Sequence, residues 1–309
     1  PHESVRLTKS GPRSSFLVTV VLYAWNEEAY IGPAIASILE QDFEPLEIVL
    51  SDDGSTDDTS EIMKAMVAAY EGPHRVLLNR NNKNLGIGSQ INAAVRMTTG
   101  RLVVLANGDD ISHPDRISRT VAMWQAQDES RAMGVWSALR QIDENGEPLS
   151  RVMDCQVDLS SLEAGVKNRF GGVHAASLAV DRSVFEAFGP LPDNLILEDC
   201  ALFARAVLLG PVRYSERPWV DYRVHSENIS QSYQPAPFEE WRARHRQRVL
   251  WQTSEGIKAY AEILRDLHQK PSETWDRREI EDARWSAMTK LLEYRIRRDA
   301  YQPGGDKEW

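Results

Sequence analysis

The chain has 309 residues, 46 of them acidic and 36 basic, for a formal net charge of −10 at pH 7. Hydrophobic residues make up 42% and charged residues 27%, the balance of a folded globular chain and not of a disordered or fibrous one. So negative a total argues against bulk nucleic-acid binding, which needs basic surface to meet phosphates. It leaves room for a nucleotide held by backbone amides or through a cation. The excess is uneven: residues 233–309 hold 15 basic and 14 acidic side chains, so residues 1–232 carry a surplus of eleven negative charges.

Two cysteines, Cys155 and Cys200, are too few for a disulfide framework, and reduced thiols in a cytoplasmic protein are the plain expectation. The longest apolar stretch, residues 16–25, is interrupted by Thr19 and falls short of the roughly 18 residues of a membrane-spanning helix. No signal peptide is visible. The chain starts at Pro1, as a processed chain or one cut from something longer would. Asn228-Ile229-Ser230 fits the glycosylation sequon, whose use the expected compartment opposes.

In chain order, residues 1–15 read as a polar leader. A Val- and Leu-rich run at 18–24 suits a strand buried on both faces. Residues 27–39 have the helical period, with Ile31, Ile35 and Ile38 on one stripe. A strand is expected at 46–50, a helix at 57–70 with Asp57 and Asp58 near its positive end, and a strand at 75–78. A helix at 87–97 and a strand at 102–106 follow. This alternation predicts a mainly parallel sheet with helices on both faces. Beyond Pro114 the pattern loosens: a helix to about 127, a strand at 133–139, a turn at 143–146, short strands at 178–180 and 220–224, and a helix at 200–209. From 238 to about 299 the chain reads as helical, broken near Pro271. There are no repeats.

In an open parallel sheet, ligands bind at the carboxyl ends of the strands, where strand order reverses. Three polar clusters directly follow expected strands: Tyr23-Ala24-Trp25-Asn26-Glu27, Asp52-Asp53-Gly54-Ser55 and Asn107-Gly108-Asp109-Asp110. They are expected to meet at one edge. The second also reads as an ordinary turn and helix cap. Adjacent carboxylates at the end of a buried strand repel unless a cation or hydrogen-bond donors offset them; hard ions such as Mg2+ or Mn2+ take such oxygens together with substrate phosphates. Gly86 and Gly88 raise a dinucleotide fingerprint, but Ile91 stands at the third glycine and the first strand ends without one. No Walker-type Gly-Lys-Ser/Thr is present, so hydride transfer and P-loop chemistry are excluded.

From Val18 to Ser230 the chain resembles the GT-A fold, family 2 glycosyltransferases. The resemblance rests on five motifs in order: Val-Thr-Val-Val-Leu-Tyr-Ala-Trp-Asn-Glu-Glu, Leu-Ser-Asp-Asp-Gly-Ser-Thr-Asp-Asp-Thr, Asn-Gly-Asp-Asp with Pro114-Asp115-Arg116, Leu197-Glu198-Asp199, and the run from Tyr222 through His225 to Ser230. It implies an α/β, GT-A type, Rossmann-like mixed and mainly parallel sheet flanked by helices. The domain would span 16–232, with a nucleotide-binding half at 16–112, an acceptor-binding half at 113–232, and a C-terminal helical extension at 233–309. It implies an inverting enzyme using a nucleotide-sugar donor, a UDP-sugar foremost, and a glycan or lipid-linked glycan acceptor, as in polysaccharide biosynthesis.

Carried over by position, the resemblance places Tyr23, Trp25 and Glu27 around base and ribose, with an aromatic stacking on the base. It gives Asp52 the base contact and leaves Asp53 a structural role. Asn92 and Asn107 would join Asp109 in holding the donor, while Asp109, Asp110 and His225 would hold Mn2+ or Mg2+. Asn107 stands where the family often has Asp, and Ile91 where it often has Arg. Asp199 would be the general base, with Glu198 contacting the acceptor or orienting that base. Two other readings stand beside this one: a catalytically inactive nucleotide- or sugar-binding GT-A module, and a sugar-phosphate nucleotidyltransferase, which would carry a glycine-rich basic loop after its first strand. In the tail, Arg242, Arg244, Arg246 and Arg248 share one expected helix with Trp241 and Trp251. They form two i, i+4 pairs in place of one stripe, favouring a packing helix over a peripheral membrane contact that docks a lipid-linked acceptor.

Overall fold

The computed structural model describes residues 16–125, 132–168, 170, 172–193, 195–226, 228, 238–269 and 274–301, with the side chains of 238–249, 251, 300 and 301 outside the description. Within these residues nine strands form one sheet in the order β3-β2-β1-β4-β8-β6-β9-β5, and β7 pairs with β6. The first half is β1 (Val18–Ala24), α1 (Ile31–Leu39), β2 (Leu46–Asp52), α2 (Thr59–Ala69), β3 (Arg75–Arg80), α3 (Ile87–Arg96) and β4 (Leu102–Asn107). Strands β1–β4 are mutually parallel, with β4 returning to the free side of β1. Strand order therefore reverses between β1 and β4, where a crevice opens at the carboxyl ends.

Burial follows from this order. Every residue of the central strands β1 and β2 is buried, because helices cover both faces of a parallel sheet. The edge strand β3 has no buried residue and exposes Arg75, Leu78 and Arg80. Side chains of β1 divide between two cores. Val18, Val20 and Leu22 pack with α1 on one face. Val21 and Tyr23 pack on the other with Ile91 of α3 and a large cluster drawn from the second half.

The second half runs β5 (Ile111–Ser112), α4 (Arg116–Gln125), β6 (Gly134–Ile142), β7 (Pro148–Met153), α5 (Leu162–Lys167), β8 (Ala179–Asp181), α6 (Ser183–Phe188), α7 (Glu198–Leu209) and β9 (Val212–Arg223). Here β8 is antiparallel to β4 and β6, while β6 and β9 are parallel, so the sheet is mixed. Elements β5, β7, α5 and α6 have no counterpart in the sequence reading; each has six residues or fewer, too short for periodicity to register. β9 is 12 residues long where only its end was expected, because its first half is polar and partly exposed. Two long helices close the chain, α8 (Phe238–Gln269) and α9 (Arg277–Tyr301). Their Tyr260, Ile263, Leu267, Ile280 and Ala283 belong to the same core as α7. Residues 1–15 and the Ile229-Ser230 part of the sequon lie outside the described residues, as do the side chains of Arg242, Arg244, Arg246 and Arg248.

Candidate active site

Register alone brings the three polar clusters together: Tyr23 lies beside Asn107 and Ala24 beside Asp52. Helix α1 starts at Ile31, four residues later than its period implied, because Asn26 adopts a left-handed φ of 56° and residues 27–30 form a turn. That turn is fastened to the loop after β2. Asn26 N donates to Ser55 Oγ at 2.8 Å, Glu27 N to Thr59 Oγ1 at 2.8 Å and Thr56 N to Asn26 Oδ1 at 2.8 Å. The Glu27 carboxylate is thereby aimed across the end of β4, where a Cβ at Gly108 would collide with it. Trp25 is left 49% exposed on the rim.

Asp52 and Asp53 divide their work as adjacent strand-end residues on opposite faces would. Asp53 accepts from Asn81 Nδ2 (2.7 Å), Leu85 N (3.0 Å) and Gly86 N (2.8 Å): it fastens the loop into α3. Asp52 accepts from Ser55 N at 3.0 Å and lies 3.3 Å from Arg80 Nε. Its Oδ2 has no hydrogen-bond partner.

Asp109 faces the crevice. Its Oδ2 receives Asn228 Nδ2 at 3.1 Å and lies 3.1 Å from His225 Nε2, while its Oδ1 is a buried oxygen without a partner. Asp110 turns the other way. Its Oδ1 accepts from Arg223 N at 2.8 Å and its Oδ2 from Asn107 Nδ2 at 3.1 Å. The expected set of Asp109, Asp110 and His225 is thus not assembled, because both Asp110 oxygens are held by the protein. Among the described residues no group of three or more His, Cys, Asp or Glu is placed to hold a metal ion. Asp109 and His225 do come together.

Helix α7 brings the remaining carboxylates. Glu198 is buried and accepts from Tyr23 Oη at 3.1 Å; its other oxygen is unpartnered. Asp199, less buried, accepts from Cys200 N at 2.7 Å at the positive end of the helix. Two expected donor contacts are relocated. The Tyr23 ring lies in the core at 7% exposure, so it reaches the site through its hydroxyl on Glu198 and not as a stacking face. Asn92 donates to Leu191 O at 2.8 Å and accepts from Leu191 N at 2.9 Å. The backbone N–H and C=O of one residue, Leu191, thus take both ends of the Asn92 amide, which ties α3 to the loop before α7.

The electrostatics follow from crowding acids in a dry place. Burial, then Asp109 and Asp110, push the Glu27 carboxyl well above its usual range. Burial and Asp109 do the same to Asp110, against the opposing Arg223 N–H and Arg116 charge. Burial and Asp199 raise Glu198, and burial with Glu198 raises Tyr23. Beneath them, Arg116 donates to Leu105 O at 2.6 Å and Ser112 Oγ at 2.9 Å, and burial lowers its pKa to about 10.

Sequence reasoning assigned no role to several residues that build this site. Arg223 donates to the carbonyls of Asp109 (2.9 Å), Asp143 (3.2 Å) and Glu144 (3.0 Å), and its guanidinium sits 5.0 Å from the Tyr30 ring centre. Tyr30 in turn lies 4.6 Å from the His225 ring. Asn228 braces that histidine, accepting from His225 N at 2.6 Å. Burial lowers the pKa of His174 against the opposing charge of Asp199, and its ring lies 5.9 Å from the Tyr222 ring. The available signal for Arg223 was its place between Tyr222 and His225 in a quoted motif; for His174 there was none.

Comparison with known proteins places the chain. The model of glycosyl transferase family 2 matches residues 19–173, half of the chain. An uncharacterized glycosyltransferase of Nostoc sp. is 26% identical over 230 residues, covering 72% of this chain and 69% of its own. Chondroitin synthase of Escherichia coli is 34% identical over 218 residues, covering 69% of this chain and 30% of its own. The chain also spans 49% of the putative glycosyltransferase EpsE of Bacillus subtilis, so several relatives are much longer. Among solved structures, residues 1–349 of S. aureus TarS with UDP-GlcNAc superpose with a TM-score of 0.55 at 15% identity, over 93% of this chain and 92% of that one. The mannosyltransferase PcManGT of Pyrobaculum calidifontis with GDP-Man and Mn2+ does so at 0.56 and 19%, over 94% and 76%. The sheet order, the crevice at its reversal point and these matches lead to one statement: the chain has the GT-A fold and belongs to glycosyl transferase family 2, a family of transferase enzymes.

Proposed function

We propose that this transferase moves a sugar, with inversion at the anomeric carbon, from a nucleoside-diphosphate sugar to a hydroxyl of a glycan or lipid-linked glycan. The observation that carries the reading is the pairing, at one crevice, of Asp109 and His225 with Asp199 at the start of α7. A UDP-sugar is the favoured donor; TarS with UDP-GlcNAc supports it, and PcManGT with GDP-Man marks the competing nucleotide.

The exposed Trp25 stacks on the base. Asp52 Oδ2, which makes no hydrogen bond within the chain and faces the Arg80 charge at 3.3 Å, accepts from it. Glu27 and Asn107, each with an oxygen lacking a partner, face ribose and diphosphate. The Asp109 and His225 donor set fits Mn2+ or Mg2+ completed by phosphate oxygens, since such ions commonly take one or two carboxylates and the rest from substrate. Asp109 Oδ1, buried and unpartnered, is the oxygen expected of such a ligand. The ion supplies positive charge against the negative charge that develops on the departing diphosphate. Asp110 acts one layer back, holding Asn107 and the Arg223 backbone, so its part is to position Asp109. On the acceptor side, Asp199 removes the hydroxyl proton as that oxygen attacks. Glu198, whose carboxyl is pushed well above its usual range by burial and Asp199, bridges Tyr23 to the base.

The test is a thermal-shift and turnover screen of nucleotide sugars with and without Mn2+. A Mn2+-dependent shift with UDP-sugars, accompanied by release of UDP, is the expected result. A shift without nucleoside diphosphate release from any donor would instead establish an inactive binding module. A response to GDP or dTDP sugars alone would overturn the base assignment.

A further inference from the structure

The β5 edge of the sheet holds a second cleft. Strand β5 is only two residues long and pairs with the end of β9. Beside it β9 bulges: from Ser215 to Val220 it takes five steps where β6, from Ser137 to Leu139, takes two. Such a bulge re-aims the side chains it carries, and this one carries Arg217 and Pro218. Ser215 Oγ closes it, accepting from Arg217 N and donating to Arg217 O at 3.2 Å each. Together with the start of α4 the bulge lines a cleft of about 770 Å³, within the range of small-molecule sites.

Arg119 of α4, Arg140 of β6 and Arg217 of the bulge converge on this cleft from three elements. Its two carboxylates are already engaged. Asp221 takes Arg140 Nε at 2.7 Å and Nη2 at 2.6 Å, with His113 Nε2 at 2.9 Å. Burial pushes the Asp221 carboxyl up, but His113 and Arg140 hold it below its usual range. Asp115 takes Arg119 Nε at 2.6 Å and Nη2 at 2.5 Å. Among the described residues each pair leaves the Nη1 end of its guanidinium, with two N–H groups, uncommitted. Arg217 is exposed and has no ion-pair partner among the described residues. The pairs therefore use up the acids and leave donors, with one positive charge in excess. Ile111, Pro114 and Pro218 add an apolar lining.

We propose that this cleft binds an oxyanion, a carboxylate or a phosphodiester, carried on a sugar unit of the acceptor glycan. N–H groups of several guanidiniums match such oxygens, and the apolar lining suits the C–H face of a sugar ring. The cleft starts beside the reaction site. Ile111 follows Asp110, and Asp221 shares its face of β9 with Arg223. That arginine, roughly 7 Å further on at about 3.3 Å per residue, donates to the Asp109 carbonyl. This occupancy rests on the glycan acceptor proposed above, whereas the binding itself is measured without any donor.

The experiment is calorimetry of the full chain with tetragalacturonate, a glycerol phosphate oligomer and neutral maltotetraose. Wild type is expected to bind at least one anionic probe, more weakly in high salt, and to bind maltotetraose at least about tenfold more weakly. The anionic probe that binds tells carboxylate from phosphodiester. Arg119→Gln/Arg217→Gln is expected to weaken that binding by at least about fivefold, with an unchanged urea midpoint because both side chains reach solvent. Arg96→Gln, which removes an exposed charge on α3, is expected to leave it unchanged. Binding of neither anionic probe, equal binding of maltotetraose, or equal losses in the two variants overturns the proposal. An absence of nucleoside diphosphate release from any donor would overturn the reaction proposed above and not this site.

Discussion

Helix α7 carries a buried charge cluster at each end, and the two are built in opposite ways. Seven residues after Glu198, Arg205 meets α8: its Nε donates to Asp266 at 2.9 Å and its Nη2 to Glu262 at 2.7 Å, with Arg205 and Asp266 fully buried. The carbonyl of Gly189 takes another of its N–H groups, and the guanidinium lies 5.6 Å from the Phe188 ring centre. Burial raises Glu262 and Asp266, but the Arg205 and Arg265 charges oppose the rise. At the other end, Glu198, Glu27 and Asp110 are pushed much further, and Glu198, Glu27 and Asp109 each keep an unpartnered oxygen. A buried acid is stable when its counter-charge is part of the chain. Acids gathered in excess of the buried counter-charge beside them, Arg116, store electrostatic free energy that a cation or a polar ligand can release, which is how a structural ion cluster and a reaction site can share one helix.

Four measurements bear on this contrast. The largest effect is expected at Asp199. Asp199→Asn should lower turnover by about 10²–10⁴-fold while leaving donor affinity nearly unchanged, since a general base acts on the acceptor proton; nucleoside diphosphate release at near wild-type rate would remove Asp199 from that role. Next, Arg205→Met leaves the buried Glu262 and Asp266 with only the partly exposed Arg265 as counter-charge and is expected to cost about 3 kcal/mol in urea unfolding. Combining it with Glu262→Leu and Asp266→Leu should recover most of that loss. If the triple variant is no better than the single one, the cluster is not self-contained.

A smaller effect belongs to the nucleotide rim. Trp25→Ala should weaken nucleotide binding by about 1–3 kcal/mol, the worth of a base–aromatic stack, as read by calorimetry. Tyr23→Phe should weaken it less, because the ring stays in the core and only the hydroxyl on Glu198 is lost. The reverse order would return Tyr23 to the base pocket. The smallest effect is a slope. Glu198 has a folded pKa raised above its ordinary 4.5, so between those two values the folded chain binds a proton that the unfolded chain releases. Stability therefore falls as pH rises through that window, by at most about 1.4 kcal/mol per pH unit. Glu198→Gln removes this component and should flatten urea midpoints measured from about pH 5 to about pH 8. An unchanged slope would mean that Glu198 is ionised in the folded chain.

How much could be read in advance depended on how local each signal was. Strands β1, β2 and β4 are continuous apolar runs bounded by polar clusters, and the parallel alternation required those clusters to converge; the observed register does bring Tyr23, Asp52 and Asn107 to one edge. Asp53, with an ordinary turn composition around it, is the loop anchor that such composition implies. Asp110 is not gathered with Asp109 and His225, because adjacency in sequence says that two carboxylates are close, not which way each points. The cleft beside β5 escaped notice because its three arginines lie in separate elements and meet only in the folded chain.

By itself the amino-acid sequence determined the fold class, the family motifs and the sheet edge at which they meet, because backbone periodicity and strand-end chemistry are local properties. Which donors and acceptors remained for a ligand was decided only in three dimensions. Asn92 is consumed by Leu191, 99 residues away, Asp110 by Arg223, 113 residues away, and Tyr23 by Glu198, 175 residues away. Each polar group makes only a few hydrogen bonds, and in a buried site the nearest partner takes them whatever its distance along the chain.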